Sequence, residues 1–148
     1  MRKGSVKKLP PITFPQVNIG IDCEEVERWR ELLPELIHGS YRRLFTRYEH
    51  NYCRSFADPA PHYAVRWCAK EAFLKAVSTF CKVTLRDIEV RNDKNGNPSI
   101  RIVSQKNRKS IDIIVQLSLS HTDSVALAMV FVIVNTKGKN LNTSSCQI

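Results

Sequence analysis

The chain has 148 residues, 43% hydrophobic and 25% charged, which suits one soluble globular domain and not a disordered protein. Twenty-three Lys and Arg against fourteen Asp and Glu leave a net charge of +9, a field that attracts polyanions: a nucleotide, a nucleic acid or an acidic protein. The five cysteines (Cys23, Cys53, Cys68, Cys81, Cys146) contain no Cys-x-x-Cys pair, and the longest apolar run, 125–134, is about half a membrane span.

Those features disfavour a disulfide scaffold, a cysteine zinc site and a membrane partner, so a reduced, cytoplasmic protein is expected. Residues 1–16 hold three prolines and no acidic residue, and read as a flexible basic lead. Residues 17–135 read as one domain and 136–148 as a flexible tail. Val17, Ile19 and Ile21 alternate with Asn18, Gly20 and Asp22, the period-2 signature of a half-buried strand with Asp22 on its polar side.

A helix follows, with Val26, Trp29 or Arg30, Leu33, and Leu36 or Ile37 as its apolar stripe; Pro34 bends or breaks it. Thr46-Arg47-Tyr48-Glu49 is a capping-box pattern opening a short helix through Tyr52. After Pro59 and Pro61 the spacing predicts a long helix over 62–80, with Val65, Ala69, Ala72, Phe73, Ala76 and Phe80 facing the core. Two short strands, 85–91 and 99–103, are joined through an Asn95-Gly96 turn. A basic loop, 104–110, leads to strands 111–119 and 125–134, connected by 120–124. Helices and antiparallel strand pairs alternate irregularly, so the class is α+β, with an antiparallel sheet and one long helix packed on it.

Three places could carry chemistry. Asp22 ends an apolar strand, with Glu24 and Glu25 close behind. Carboxylates so placed either complement a helix N-terminus or hold a hard divalent ion such as Mg²⁺ together with phosphate oxygens. Glu71 and Lys75 stand one turn apart on the long helix, away from its apolar stripe. They form either a solvated ion pair or a base beside a phosphate-neutralising cation. Ser118-Leu119-Ser120-His121 puts a histidine at a strand end, where it can meet an anion.

Taken in order, these elements resemble the 4′-phosphopantetheinyl transferase superfamily, and most of all holo-acyl-carrier-protein synthases. The likeness is carried by Gly20-Ile21-Asp22, Phe45-Thr46-x-x-Glu49, Trp67-Cys68-Ala69-Lys70-Glu71-Ala72-Phe73-x-Lys75-Ala76, Asn95-Gly96-Asn97-Pro98 and Ser118-Leu119-Ser120-His121. It implies transfer of the phosphopantetheine arm of coenzyme A to a serine of an apo acyl carrier protein. By the same resemblance Asp22 and Glu71 bind Mg²⁺, Glu71 helps remove the serine proton, and Lys75 sits on the phosphate. Arg66 and His121 would hold phosphates of coenzyme A, and the short length implies a homotrimer with active sites between subunits.

The chain departs from the family at 78–82, Ser-Thr-Phe-Cys-Lys, where relatives carry a glycine. A member that binds coenzyme A without transferring is therefore a second reading. A third is a non-catalytic basic module for nucleotide or nucleic acid, built on Arg42, Arg43, Arg47 and Arg54 with Tyr41, Tyr48 and Tyr52 interleaved. Glu24 and Glu25 both stand where a third acid could assist the metal. The transferase reading expects no nucleic-acid partner.

Overall fold

A computed structural model describes residues 15–79, 82–103 and 113–134. A long first strand, β1 (Gln16–Glu25), runs directly into α1 (Val26–Glu31), because Glu25 keeps extended backbone and Val26 begins the turn. The helical path breaks at Leu32 and resumes as α2 (Leu33–Ile37), with Pro34 in its first turn where no N–H is missed. Short 3₁₀ turns occupy Ser40–Leu44 and Leu85–Asp87. Between them lie α3 (Arg47–Cys53) and the long α4 (Ala60–Val77), and then β2 (Ile88–Asn92), β3 (Pro98–Ile102), β4 (Ile113–His121) and β5 (Val125–Val134) complete the order.

The expected capping box at Thr46 is present in both directions: the Thr46 hydroxyl accepts from the Glu49 N–H and the Glu49 carboxylate accepts from the Thr46 N–H. Of the expected strand residues, 85–87 form a turn instead, where Thr84 and Asp87 cap each other before β2 begins, and Val103 lies past the end of β3; β4 runs on through Ser120 and His121, and 111–112 lie outside the described residues. α4 begins at Ala60 and its last helical residue is Val77; Phe80, the loop 104–110 and both chain ends lie outside the described residues.

Among the described residues all strand pairs are antiparallel, in a three-stranded sheet of order β1-β5-β4 and a two-stranded sheet β2-β3. α4 lies across the larger sheet, and Val65, Ala69, Ala72, Phe73 and Ala76 are buried as expected. Three alanines and Gly20 let the helix approach closely, since a Cβ on Gly20 would overlap the backbone carbonyl of Ala72. Buried Ala126, Ala128, Val130 and Val132 complete the β5 side of this layer.

One expectation inverts. The apolar side of β1 is the uncovered side: Val17, Ile19 and Ile21 are 47%, 61% and 55% exposed, and Asn18, Gly20 and Asp22 face α4. The physical reason is the helix itself, whose closely packed backbone accepts a glycine and two hydrogen-bonding side chains but leaves no space for branched ones. Leu127, Met129 and Ile114 continue the uncovered apolar face onto β5 and β4.

Candidate active site

Asp22 reaches α4 because β1 and the helix are fastened at two further points. Asn18 Nδ2 donates to the Ala76 carbonyl at 2.9 Å, and Lys75 Nζ donates to the Ile21 carbonyl at 3.0 Å. The same ammonium donates to Asp22 Oδ1 at 2.8 Å. The Asp22 side chain is 15% exposed, and its Oδ2 is buried with no hydrogen-bond partner. A half-satisfied buried carboxylate is costly unless something else meets its second oxygen.

Glu71 lies on the same side, one turn before Lys75. Burial raises its carboxyl above the usual range, and the negative charge of Asp22 adds to the rise, while Lys75 opposes it. Two carboxylates close enough to repel, with one oxygen orphaned, are a ready receptor for a divalent cation. Among the described residues no group of three or more His, Cys, Asp and Glu side chains is poised to hold a metal. Asp22, with one oxygen unpartnered, and Glu71 beside it are hard oxygen donors of the kind that suits Mg²⁺ when water or phosphate oxygens fill its other positions. Glu24 is already engaged, accepting from Arg28 at 3.0 Å and from the Trp29 indole at 3.3 Å. Glu25 is exposed at the N-cap of α1.

A second constellation sits elsewhere on α4. Five residues separate Arg66 from Glu71, which turns their side chains about 140° apart around the helix. Arg66 is 2% exposed and belongs to a cavity of about 360 Å³ lined also by Tyr52, Phe56, His62, Asn92 and His121. Its guanidinium rests 3.7 Å over the Tyr52 ring and donates to Asn92 Oδ1 at 2.6 Å, while its Nε is buried without an acceptor. His121 ends β4 and meets the His62 ring edge-on at 5.1 Å; His62 in turn stacks on Phe56 at 3.6 Å. Burial, then the neighbouring His121 and Arg66, pull His62 down to about 4, so this ring is neutral at physiological pH.

The structure thus gathers Asp22, Glu71 and Lys75 in one place and Arg66 with His121 in another. Neither Asp22, Glu71 nor Lys75 lines the Arg66 cavity. His62 and Asn92 had no place in the sequence reading of the site, and Tyr52 was assigned there to the basic module and not to Arg66. His62 is one turn before Arg66, a spacing that signals a shared helix face, whereas nothing local ties Asn92 to either. Phe80 and Cys81 of the glycine-free stretch fall outside the described residues.

The four arginines of the rival reading do converge. Arg42, Arg43, Arg47 and Arg54 line a cleft of about 1030 Å³ with His38 and Asn51. Their tyrosines do not join them as stacking platforms: Tyr48 lies under Arg91 at 4.6 Å, Tyr52 lies under Arg66, and the exposed Tyr41 is not among the residues lining the cleft. What remains is an anion-attracting surface without the exposed aromatic ladder that single-stranded nucleic acid uses.

A sequence model described as the 4′-phosphopantetheinyl transferase superfamily matches residues 18–130. A holo-[acyl-carrier-protein] synthase of Geobacter metallireducens is 39% identical over 116 residues, covering 75% of this chain and 92% of the relative. A Bacillus anthracis holo-(acyl-carrier-protein) synthase, solved in complex with CoA (3′,5′-ADP), superposes with a TM-score of 0.66 at 32% identity, over 82% of this chain and 100% of the other. The Mycobacterium tuberculosis acyl carrier protein synthase does so with a TM-score of 0.59 at 28% identity, over 80% and 97%.

Proposed function

The chain belongs to the 4′-phosphopantetheinyl transferase superfamily, and from that premise we propose how its side chains carry out the reaction. It is a holo-[acyl-carrier-protein] synthase: it transfers the 4′-phosphopantetheine group of coenzyme A to a serine of an apo acyl carrier protein. The serine oxygen forms a bond to the β-phosphorus, the bond from that phosphorus to the bridging oxygen breaks, and adenosine 3′,5′-bisphosphate leaves.

Asp22 and Glu71 would hold Mg²⁺, which when bound supplies charge neutralisation to the diphosphate. Glu71, whose carboxyl is raised above the usual range by burial and by Asp22, accepts the serine proton directly or through a water. Lys75 exchanges its contact with Asp22 for the phosphate and stabilises the leaving oxygen. Arg66 and His121 bind the phosphates of coenzyme A, with the unpaired Arg66 Nε offering a donor that the protein itself leaves unused. The basic cleft around Arg42, Arg43, Arg47 and Arg54 gives the acidic carrier an attractive approach.

The functional unit in this reading is a cytoplasmic homotrimer. Two observations support it: the apolar face of β1, β5 and β4 is uncovered, and the carboxylate pair and the Arg66 cavity are separate within one chain. Subunit association would cover the first and bring the second together across an interface.

The observation that carries the assignment of the catalytic centre is Asp22, with one oxygen on Lys75 and the other buried and unmatched. The test is incubation with coenzyme A, Mg²⁺ and apo acyl carrier protein, followed by mass spectrometry of the carrier. A gain of one phosphopantetheine mass, lost with EDTA and in Glu71→Gln, is expected. Coenzyme A binding without any gain would leave a non-transferring member, and salt-sensitive oligonucleotide binding with neither would leave the basic module.

A further inference from the structure

A fully buried ion pair lies next to the reactive side chains without belonging to them. Lys70 and Glu49, both 0% exposed, meet at 2.8 Å between Nζ and Oε2. The ammonium also donates to the Leu44 carbonyl at 2.7 Å and, more weakly, to the Leu85 carbonyl at 3.5 Å. Glu49 Oε2 accepts from the Thr46 N–H at 2.8 Å, and Oε1 accepts from the Val90 N–H at 2.9 Å. The pair therefore pins α4 to three separate segments: the end of the first 3₁₀ turn, the start of α3, and the strand β2 with its preceding turn.

An ion pair of this kind is seldom a source of net stability, since two charges leave water to make it. Its contribution is better sought in what it orients. Lys70 precedes Glu71 in the chain and stands one turn after Arg66, about 40° from it around α4, while Glu71 is about 100° away. Fixing Lys70 fixes the rotation of the helix. A slip of about 20° would carry a side-chain tip roughly 2 Å sideways, given a helix radius of about 5–6 Å with side chains. The second arm runs along β2: two residues after Val90, Asn92 gives its Oδ1 to Arg66 at 2.6 Å, and its backbone is held by the Tyr48 hydroxyl from α3.

We propose that Glu49 and Lys70 are positioning residues for both halves of the site, setting Glu71 through the rotation of α4 and Arg66 through the register of β2. The inference rests on the transferase reading above. The residues touch neither substrate nor metal; they determine where the residues that do so stand. A misplacement of about 1 Å is enough to cost roughly 10² in rate.

The experiment compares Glu49→Gln, Lys70→Met and the charge-preserving Lys70→Arg with Leu36→Ala, a cavity variant of α2 that loosens the core away from the site. Each is assayed well below its own melting temperature, with the folded fraction established by circular dichroism. Transfer kinetics give kcat and KM, and calorimetry gives the Kd for coenzyme A without turnover. Expected are a kcat at least tenfold lower and a coenzyme A Kd at least fivefold weaker per folded molecule in the Glu49 and Lys70 variants, with Leu36→Ala close to wild type in both. Lys70→Arg keeps the charge that the buried Glu49 needs, which makes it the variant to read where the other two do not fold, and the same losses are expected of it. Variants that lose only melting temperature, with kcat and Kd per folded molecule matching Leu36→Ala, would overturn the proposal. A wild-type protein that fails to transfer at all would instead sink the functional reading.

Discussion

The ammonium of Lys75 lies 2.8 Å from Asp22 Oδ1, joining a helix to a strand that is 53 residues earlier in the chain. This cation occupies one of the two carboxylates of the proposed metal site. In the proposed mechanism metal and lysine would compete at Asp22, and the lysine would be free for phosphate once the metal displaces it. Lys75→Ala is expected to lower kcat/KM by about 10²–10³, yet to bind Mn²⁺ at least as tightly by calorimetry or electron paramagnetic resonance. Weaker metal binding in that variant would show that Lys75 does not oppose the ion.

Gly20 of β1 packs against the backbone of α4, where a Cβ would overlap the Ala72 carbonyl. A side chain there must push the strand off Ala72 or turn the helix. Gly20→Val is expected to cost about 1–3 kcal/mol as an overpacked core position, a fall in Tm on the order of 3–10 °C. Because Asp22 is two residues further along the same face, activity should fall more than stability does. A variant with native Tm and native kcat would contradict the packing described here.

His62 is held down to about 4 by burial first, then by His121 and Arg66, with Asp58 opposing. A histidine whose folded value is depressed stays neutral after the unfolded chain has taken its proton. Its contribution to stability is complete above about 6.5 and is lost progressively as pH falls toward 4. Proton NMR of the His62 ring should give a midpoint near the lower figure, and His62→Phe should flatten the decline of Tm between pH 6.5 and 4. A midpoint near 6.5 would refute the stacked, desolvated placement.

The uncovered apolar face makes a separate prediction. Ile19 is 61% exposed in the middle of that face, with Phe131 opposite it on β5. Ile19→Lys should yield a folded monomer by light scattering, with transfer activity lost and the circular dichroism spectrum retained. A trimer that survives this change would have to be built on another surface.

Much of the site was legible because its residues are local. Glu71 and Lys75 share a helix side by spacing alone, and the Thr46 and Glu49 capping box followed from a four-residue pattern. The alternation in β1 was also legible, but its sense was not. Branched apolar residues normally point to the nearest core, and here they point away from α4, since the helix backbone comes too near Gly20 to admit them. The Glu49–Lys70 pair was equally hidden: Glu49 read as a cap and Lys70 as part of a motif, and only the fold brings them together across 21 residues. Asn92 beside Arg66 depends on β2 register, which no short-range signal sets.

Because the carboxylate pair and the arginine cavity sit on different sides of a single helix, two defective proteins need not make a defective mixture. In the proposed trimer, subunits carrying Glu71→Gln and subunits carrying Arg66→Ala would each still own one sound half. Co-folded hybrids would then rebuild an intact catalytic junction wherever the sound halves adjoin, and turnover would return to a mixture whose components have none alone.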